Sequence, residues 1–167
     1  MGKNQKLISR NQFVKLLAGT ALFVPTFARS QTTNQKPEPL KAELVKDFVV
    51  KGHHDLEGVK QMLKEQPALI YATWDWGGGD FETALGGASH MGRKDIAEYL
   101  IQNGARMDIF AAAMLGKLEV VKTMLTTFPE MKTCRGAHGI SLLTHAQKGG
   151  ESASLVVDYL KSLGIEK

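Results

Sequence analysis

The chain has 167 residues, 43% of them hydrophobic and 23% charged, a balance that excludes wholesale disorder and fits one ordinary domain or a short array of repeats. The net charge of +4 belongs to the first thirty residues, because the remaining 16 basic and 17 acidic residues nearly cancel and give no support to nucleic-acid binding. One cysteine, Cys134, excludes an internal disulfide framework and a Cys-rich zinc site.

Residues 1–30 are predicted to be a cleaved export signal. A polar, positive stretch precedes an apolar run from Leu16 to Phe27, which is too short for a membrane-spanning helix of about 20 residues. Ala28 and Ser30 have the small-residue spacing of a cleavage site. We therefore expect an exported protein, periplasmic or secreted, with no membrane attachment after the signal is removed.

The export route stays open between two alternatives. Residues 9–15 resemble the twin-arginine signal, but Asn11 stands where its second arginine belongs, and the general secretory route fits as well. An uncleaved anchor or a buried helix is the alternative to a signal. Residues 31–40 are polar with two prolines and predict a flexible linker.

Four pairs of short amphipathic helices are predicted from residue 41 onward. Apolar residues recur at helical spacing, and each run ends at a glycine or just before a proline. Helices this short are unstable alone, so we expect them to stack. The predicted helices lie at 44–52 and 56–66, 83–91 and 96–103, 109–115 and 118–128, and 142–147 and 155–163.

The second and third pairs resemble ankyrin repeats. The segment TALGGASHMG at 83–92 is similar to the ankyrin pattern T-P-L-H-x-A-A-x-x-G in its threonine, leucine, alanine and final glycine. KDIAEYLIQNGA at 94–105 resembles the second ankyrin helix, and FAAAMLGKLEVV at 110–121 repeats the match. The resemblance covers about residues 41–164. It implies an all-α, ankyrin-like solenoid of about four helix–turn–helix repeats, with a concave face lined by first helices.

The segment WDWGGGD at 74–80 is the most unusual part of the chain. It adds length between the first two pairs and places two tryptophans beside three glycines. The indoles could pack over the first helix pair, contact a protein partner, or stack on a small ligand; tryptophan is enriched at interface hot spots.

The histidines do not predict a metal site. His53 and His54 are adjacent in a turn, no helix carries a His-x-x-x-His pair, and His90 and His145 belong to different repeats. His138 is expected to make turn hydrogen bonds, and His145 to be partly buried and hydrogen-bonded.

The sequence also predicts no catalytic residue and no cofactor, since it lacks a G-x-S-x-G nucleophile motif. We expect a monomeric, non-catalytic module that binds another protein, of unknown identity, and not nucleic acid. A small-ligand or metal-dependent activity at the Trp-rich loop and His90 is the alternative. The predicted partner-binding residues are Trp74, Trp76, Asp80, Glu82, His90, Met91, Phe110, Met114 and His138.

Overall fold

The computed structural model describes residues 36–165 and is mostly helical in that range, as the sequence predicted. The predicted export signal at 1–30 lies outside the described residues, and so does the first half of the predicted linker. None of the described helices is long and apolar enough to cross a membrane. The helices are α1 Ala42–Gly52, α2 Leu56–Glu65, α3 Ala84–Met91, α4 Lys94–Gln102, α5 Ile109–Met114, α6 Leu118–Thr127, α7 Leu142–Lys148 and α8 Ser154–Ser162.

Local sequence explains where the inner helices begin and end. The side chains of Thr83, Asp108 and Ser141 each accept a hydrogen bond from the backbone N–H three residues later, at the starts of α3, α5 and α7. Gly92 ends α3 in the left-handed conformation, with φ of 73°. Pro67 and Pro129 begin short 3₁₀ helices after α2 and α6.

A short β-hairpin occupies the Trp-rich segment, which the sequence analysis treated only as a loop. Strand β1, Thr73–Asp75, pairs antiparallel with β2, Phe81–Thr83, so that Trp74 lies opposite Glu82. The carboxylate of Asp75 accepts hydrogen bonds from the N–H groups of Gly77 and Gly79 in the turn. Positive φ angles at residues 77–79 explain the glycine run, because other residues rarely adopt them.

The helices form four consecutive pairs, each made of two contacting neighbours: α1 with α2, α3 with α4, α5 with α6, and α7 with α8. The first helices of the pairs pack side by side in the order α1, α3, α5, α7. Helix α3 also contacts α7 directly, which a straight row would not allow. The inner row is therefore curled, and elements of the second and fourth pairs lie near one another.

The apolar core has two parts. One is centred on α1 to α4 and contains fully buried side chains such as Phe48, Ile96 and Leu100. The other lies among α5 to α8 and contains Leu142 and Leu160. These buried side chains hold the inner helices in place. The polar site described below is formed by residues of these helices and of the segments next to them.

Candidate metal centre

Four polar side chains from distant parts of the chain converge at the curled inner row and are called the cluster below. His53 follows α1, Glu82 lies in β2, His90 in α3, and His138 in the 3₁₀ turn Ala137–Gly139. One potential ligand atom of each residue lies within 4.8 Å of those of the other three. The direct contact of α3 with α7 brings the turn before α7 close enough to complete this group.

The Glu82 carboxylate is the centre of the group. Its Oε1 atom lies 2.9 Å from Nε2 of His90. Its Oε2 atom lies 3.3 Å from Nε2 of His53 and 3.4 Å from Nε2 of His138. The Nε2 atoms of His53 and His90 are 3.2 Å apart. All three imidazoles thus present the same ring nitrogen to one carboxylate.

The ring of His53 is fixed from two sides. Its Nδ1 atom donates to the carbonyl oxygen of Val49 at 2.9 Å, which directs Nε2 toward the cluster. The ring lies against α3 at Gly87, where a Cβ atom would come within 2.7 Å of Nδ1 and Cε1 of His53. A glycine at this helical position therefore makes room for the imidazole.

His138 is held by Asp80 in an unusual backbone conformation. Its φ angle is 59°, the one positive value at a non-glycine residue among residues 36–165. The carboxylate of Asp80 accepts hydrogen bonds from the backbone N–H and from Nδ1 of His138, each at 2.8 Å. Such a bond to Nδ1 fixes the tautomer whose Nε2 carries a lone pair.

Glu82 is an ionised carboxylate despite complete burial of its side chain. Burial alone would raise its pKa, but hydrogen bonds from His53 and His90, together with one from Trp76, outweigh it and hold the pKa well below the usual range. The indole Nε1 of Trp76 donates to Oε2 at 2.7 Å. The same pairing with Glu82 raises the pKa of His53 above its ordinary value, against the effect of burial.

Solvent reaches the cluster from one side. The His138 side chain is 35% exposed, whereas those of His53 and His90 are 18% and 10% exposed. The ring of Trp76 covers part of this side, with its centroid 5.8 Å from that of His138. A small ion can enter next to His138, and the ligand atoms it would meet lie in a largely water-excluded interior.

The chemistry of the group suits a divalent transition metal. Neutral imidazole nitrogens and a carboxylate are typical ligands of zinc, and a fixed negative charge offsets part of the charge of the ion. Without a metal, the same groups can share protons, since an imidazolium donates to a carboxylate. The distances between the ligand atoms given above are compatible with both the metal-bound and the proton-sharing arrangement.

The residues predicted for partner binding lie in different environments of the structure. Glu82, His90 and His138 belong to the cluster, Asp80 holds His138, and Trp76 contacts Glu82. The sequence analysis grouped only the Trp-rich loop and His90 around a ligand, as its alternative. Trp74 packs near Lys46, whose Nζ atom lies 5.6 Å from the indole centroid. Met91 is exposed.

Three of the predicted contact residues need correction. Met114 is completely buried in the core, so it offers no surface to a partner, and His90, like Glu82, is buried in the cluster rather than exposed for a protein contact. Phe110 is half-buried, with its ring centroid 4.8 Å from that of His145. His145 itself is 2% exposed, and its Nδ1 donates to the carbonyl oxygen of Ser141.

Sequence reasoning missed His53 as a site residue and the convergence of the other three ligands. No short-range pattern marks them, because the four residues span positions 53 to 138 and meet only through packing of α3 against α1 and α7. The adjacent His53–His54 pair was also misleading, since only His53 points into the cluster. Comparison of the chain with protein-family models, curated proteins and solved structures gives no match.

Proposed function

We propose that the protein binds a divalent transition-metal ion, zinc in the first place, through Nε2 of His53, His90 and His138 together with the carboxylate of Glu82. The observation that carries the proposal is the convergence of these four ligand atoms within 4.8 Å of one another. Metal binding here develops the alternative raised by the sequence, a metal-dependent site at the Trp-rich segment and His90.

The separations between the ligand atoms support this proposal. In a tetrahedral zinc site with Zn–N and Zn–O distances near 2.0–2.1 Å, neighbouring ligand atoms lie about 3.3 Å apart. The four separations given for the cluster run from 2.9 to 3.4 Å. The remaining separations among the four ligand atoms stay within 4.8 Å, so the side chains are close enough to move together around one ion.

The hydrogen bonds behind the ligands give further support. Histidine ligands of zinc typically donate their other ring N–H to a carbonyl or a carboxylate, which orients the ring. Val49 provides the carbonyl for His53, and Asp80 provides the carboxylate for His138. The ligand set is richer in nitrogen than magnesium or calcium sites, which favour oxygen ligands.

Zinc titration of the full-length chain tests the proposal. We expect one zinc ion per chain by elemental analysis after dialysis, and a rise in the melting temperature with zinc because the ion binds the folded state. The H53A variant should lose affinity by about 100-fold or more, since removing a ligand costs at least as much as removing its hydrogen-bond partner.

His54 offers a matched control. It is the exposed neighbour of His53 and lies outside the cluster, so H54A should bind zinc like the wild type. If the wild type binds no zinc, or if H53A and H54A bind it equally, the four residues form a proton-sharing ion-pair network instead of a metal site.

A second candidate function is the binding of another protein by an ankyrin-like solenoid. The four helix pairs and their contacting first helices support this finer description of the fold. One observation favours an interface at the hairpin: the ring of Phe81, at the end of the turn, is 62% exposed. Export remains a prediction for residues 1–30.

Affinity capture from a periplasmic extract tests the second function. We expect the wild type to retain a protein that the F81S variant loses, because the substitution removes exposed apolar surface and keeps all four cluster residues. H54A serves as the matched surface control. Equal capture by wild type and F81S would remove the hairpin from the interface.

A further inference from the structure

A small cavity adjoins the proposed metal centre. It has a volume of about 90 Å³. Glu82 is the cluster residue that lines it, together with Phe110, Gly136 and His145 from later parts of the chain. Since a water molecule takes up about 30 Å³ in the liquid, the space admits a few waters or one small organic molecule. The cavity is thus of a size to serve a ligand of the metal.

His145 brings an unused hydrogen-bonding atom to this cavity. Its Nδ1 is the donor to the carbonyl of Ser141 at 2.8 Å, which leaves the lone pair on Nε2. The hydrogen bond of His145 within residues 36–165 is made by Nδ1, and Nε2 is not a sealed, unpaired atom, since no buried side-chain nitrogen or oxygen in that range lacks a partner. The imidazole is 2% exposed, and a ring whose Nδ1 carries the donated proton presents its acceptor at Nε2.

The space beside Nε2 exists because residue 136 is glycine. A Cβ atom at Gly136 would lie 2.9 Å from Cε1 and 3.3 Å from Nε2 of His145, and 3.5 Å from the ring of Phe110. The φ angle of Gly136 is −77°, which other residues adopt freely. The glycine is therefore needed for its lack of a side chain and not for its backbone conformation.

We infer that the cavity is the ligand side of the metal centre. The bound metal takes up a small oxygen-donor molecule carrying an N–H or O–H group, such as water or a hydroxamic acid, and Nε2 of His145 accepts the hydrogen bond from that group. The four protein ligands complete a tetrahedral zinc site, so such a molecule binds as an additional ligand, as when zinc sites expand beyond four-coordination. This inference rests on the metal binding proposed above.

The test uses the full-length chain loaded with Co²⁺, whose visible absorption reports on coordination, and two matched probes. Acetohydroxamate carries an N–H group, and its N-methyl derivative has the same coordinating oxygens without that group. We expect acetohydroxamate to change the spectrum of the wild type saturably and to bind about tenfold more tightly than the N-methyl probe, as one hydrogen bond allows.

Two variants separate the hydrogen bond from the space. H145L should still bind Co²⁺, because His145 is not one of the four metal ligands, and should lose the preference for acetohydroxamate, whereas a preference due only to the bulk of the methyl group would persist. H145F, whose ring also lacks an acceptor, serves in its place if the leucine variant does not fold. G136A should retain Co²⁺ and weaken both probes, because its methyl group enters the cavity.

The outcomes distinguish the inference from the function on which it rests. If the wild type shows no Co²⁺ absorption, the metal centre and this inference are both wrong. If Co²⁺ binds but neither probe alters its spectrum, or if wild type, H145L and G136A bind the probes alike, the metal centre stands and the inference about the cavity is overturned.

Discussion

Asp80 and His138 are joined by two hydrogen bonds, because the Asp80 carboxylate accepts from both the backbone N–H and Nδ1 of His138, each at 2.8 Å. The pair links the β-hairpin to the turn before α7 across 58 positions of sequence. It also supports the left-handed backbone of His138. One carboxylate therefore fixes both the position and the tautomer of a proposed metal ligand.

The D80N variant should bind zinc about 10- to 100-fold more weakly than the wild type, because it weakens the support of His138 without removing a ligand. Competition with a chromogenic chelator measures the affinity. D75N is the matched control, since the Asp75 carboxylate contacts only the hairpin turn. Equal loss in D75N would assign the effect to the hairpin as a whole.

The G87A variant should displace His53, because the added methyl group would lie 2.7 Å from its ring atoms while the helix itself is favoured by alanine. We expect zinc affinity to fall by about 10-fold or more. In the H53A background the same change should instead stabilise the metal-free protein by about 1 kcal/mol, the difference in helix propensity.

Urea unfolding of the metal-free single and double variants measures this difference in sign. G87A should lower the free energy of unfolding when His53 is present and raise it when His53 is replaced by alanine. A stabilising effect of G87A in both backgrounds would show that His53 does not need the space at residue 87. A destabilising effect in both would show that the methyl group meets some other neighbour.

The helices and their boundaries could be predicted because their signals are local. The threonine, aspartate and serine caps, the glycine after α3 and the prolines after α2 and α6 each act within a few residues. The β-hairpin could not be predicted, since strands of three residues are too short to show alternation.

The cluster could not be predicted from the sequence for a different reason. Its ligands depend on the contact of α3 with α7, a product of tertiary packing that the repeat pattern does not encode. Regular repeats imply contacts between neighbouring pairs, and on that basis His138 and His90 are too far apart to meet.

Trp76 should report on metal binding through its fluorescence. Its indole Nε1–H donates to the buried Glu82 carboxylate at 2.7 Å, so an ion bound to that carboxylate changes the electrostatic environment of the ring. The chain has one other tryptophan, Trp74, whose neighbour is Lys46. We expect zinc to change the emission of the wild type and of W74F but not of W76F; a response kept in W76F and lost in W74F would place the ion elsewhere.

In the metal-free protein, the stabilising contributions of three titratable groups depend on pH in different directions. His53 has a pKa raised by Glu82, so its stabilising effect is complete below its ordinary value of 6.5 and is lost as the pH rises through the folded pKa. Although burial raises the pKa of Glu82, its hydrogen bonds hold it well below 4.5, so its contribution is present above pH 4.5 and lost toward acid. His145, whose pKa burial lowers, contributes above pH 6.5 and loses this effect as the pH falls through its folded pKa.

Zinc should therefore stabilise the protein most at the pH values where the metal-free protein loses the stabilising contribution of His53. In chelator, the His53 contribution to the free energy of unfolding decreases as the pH rises above 6.5 and through the raised folded pKa, and H53A should lack this decrease. Zinc must displace protons from the imidazoles, so the zinc-induced rise in melting temperature should grow over the same range. Melting curves of wild type and H53A with zinc and with chelator measure both effects, and the His145 contribution cancels in the comparison because both proteins retain it. A zinc effect as large at about pH 5 as at about pH 8 would exclude imidazole ligands, since protonated histidine does not bind metal.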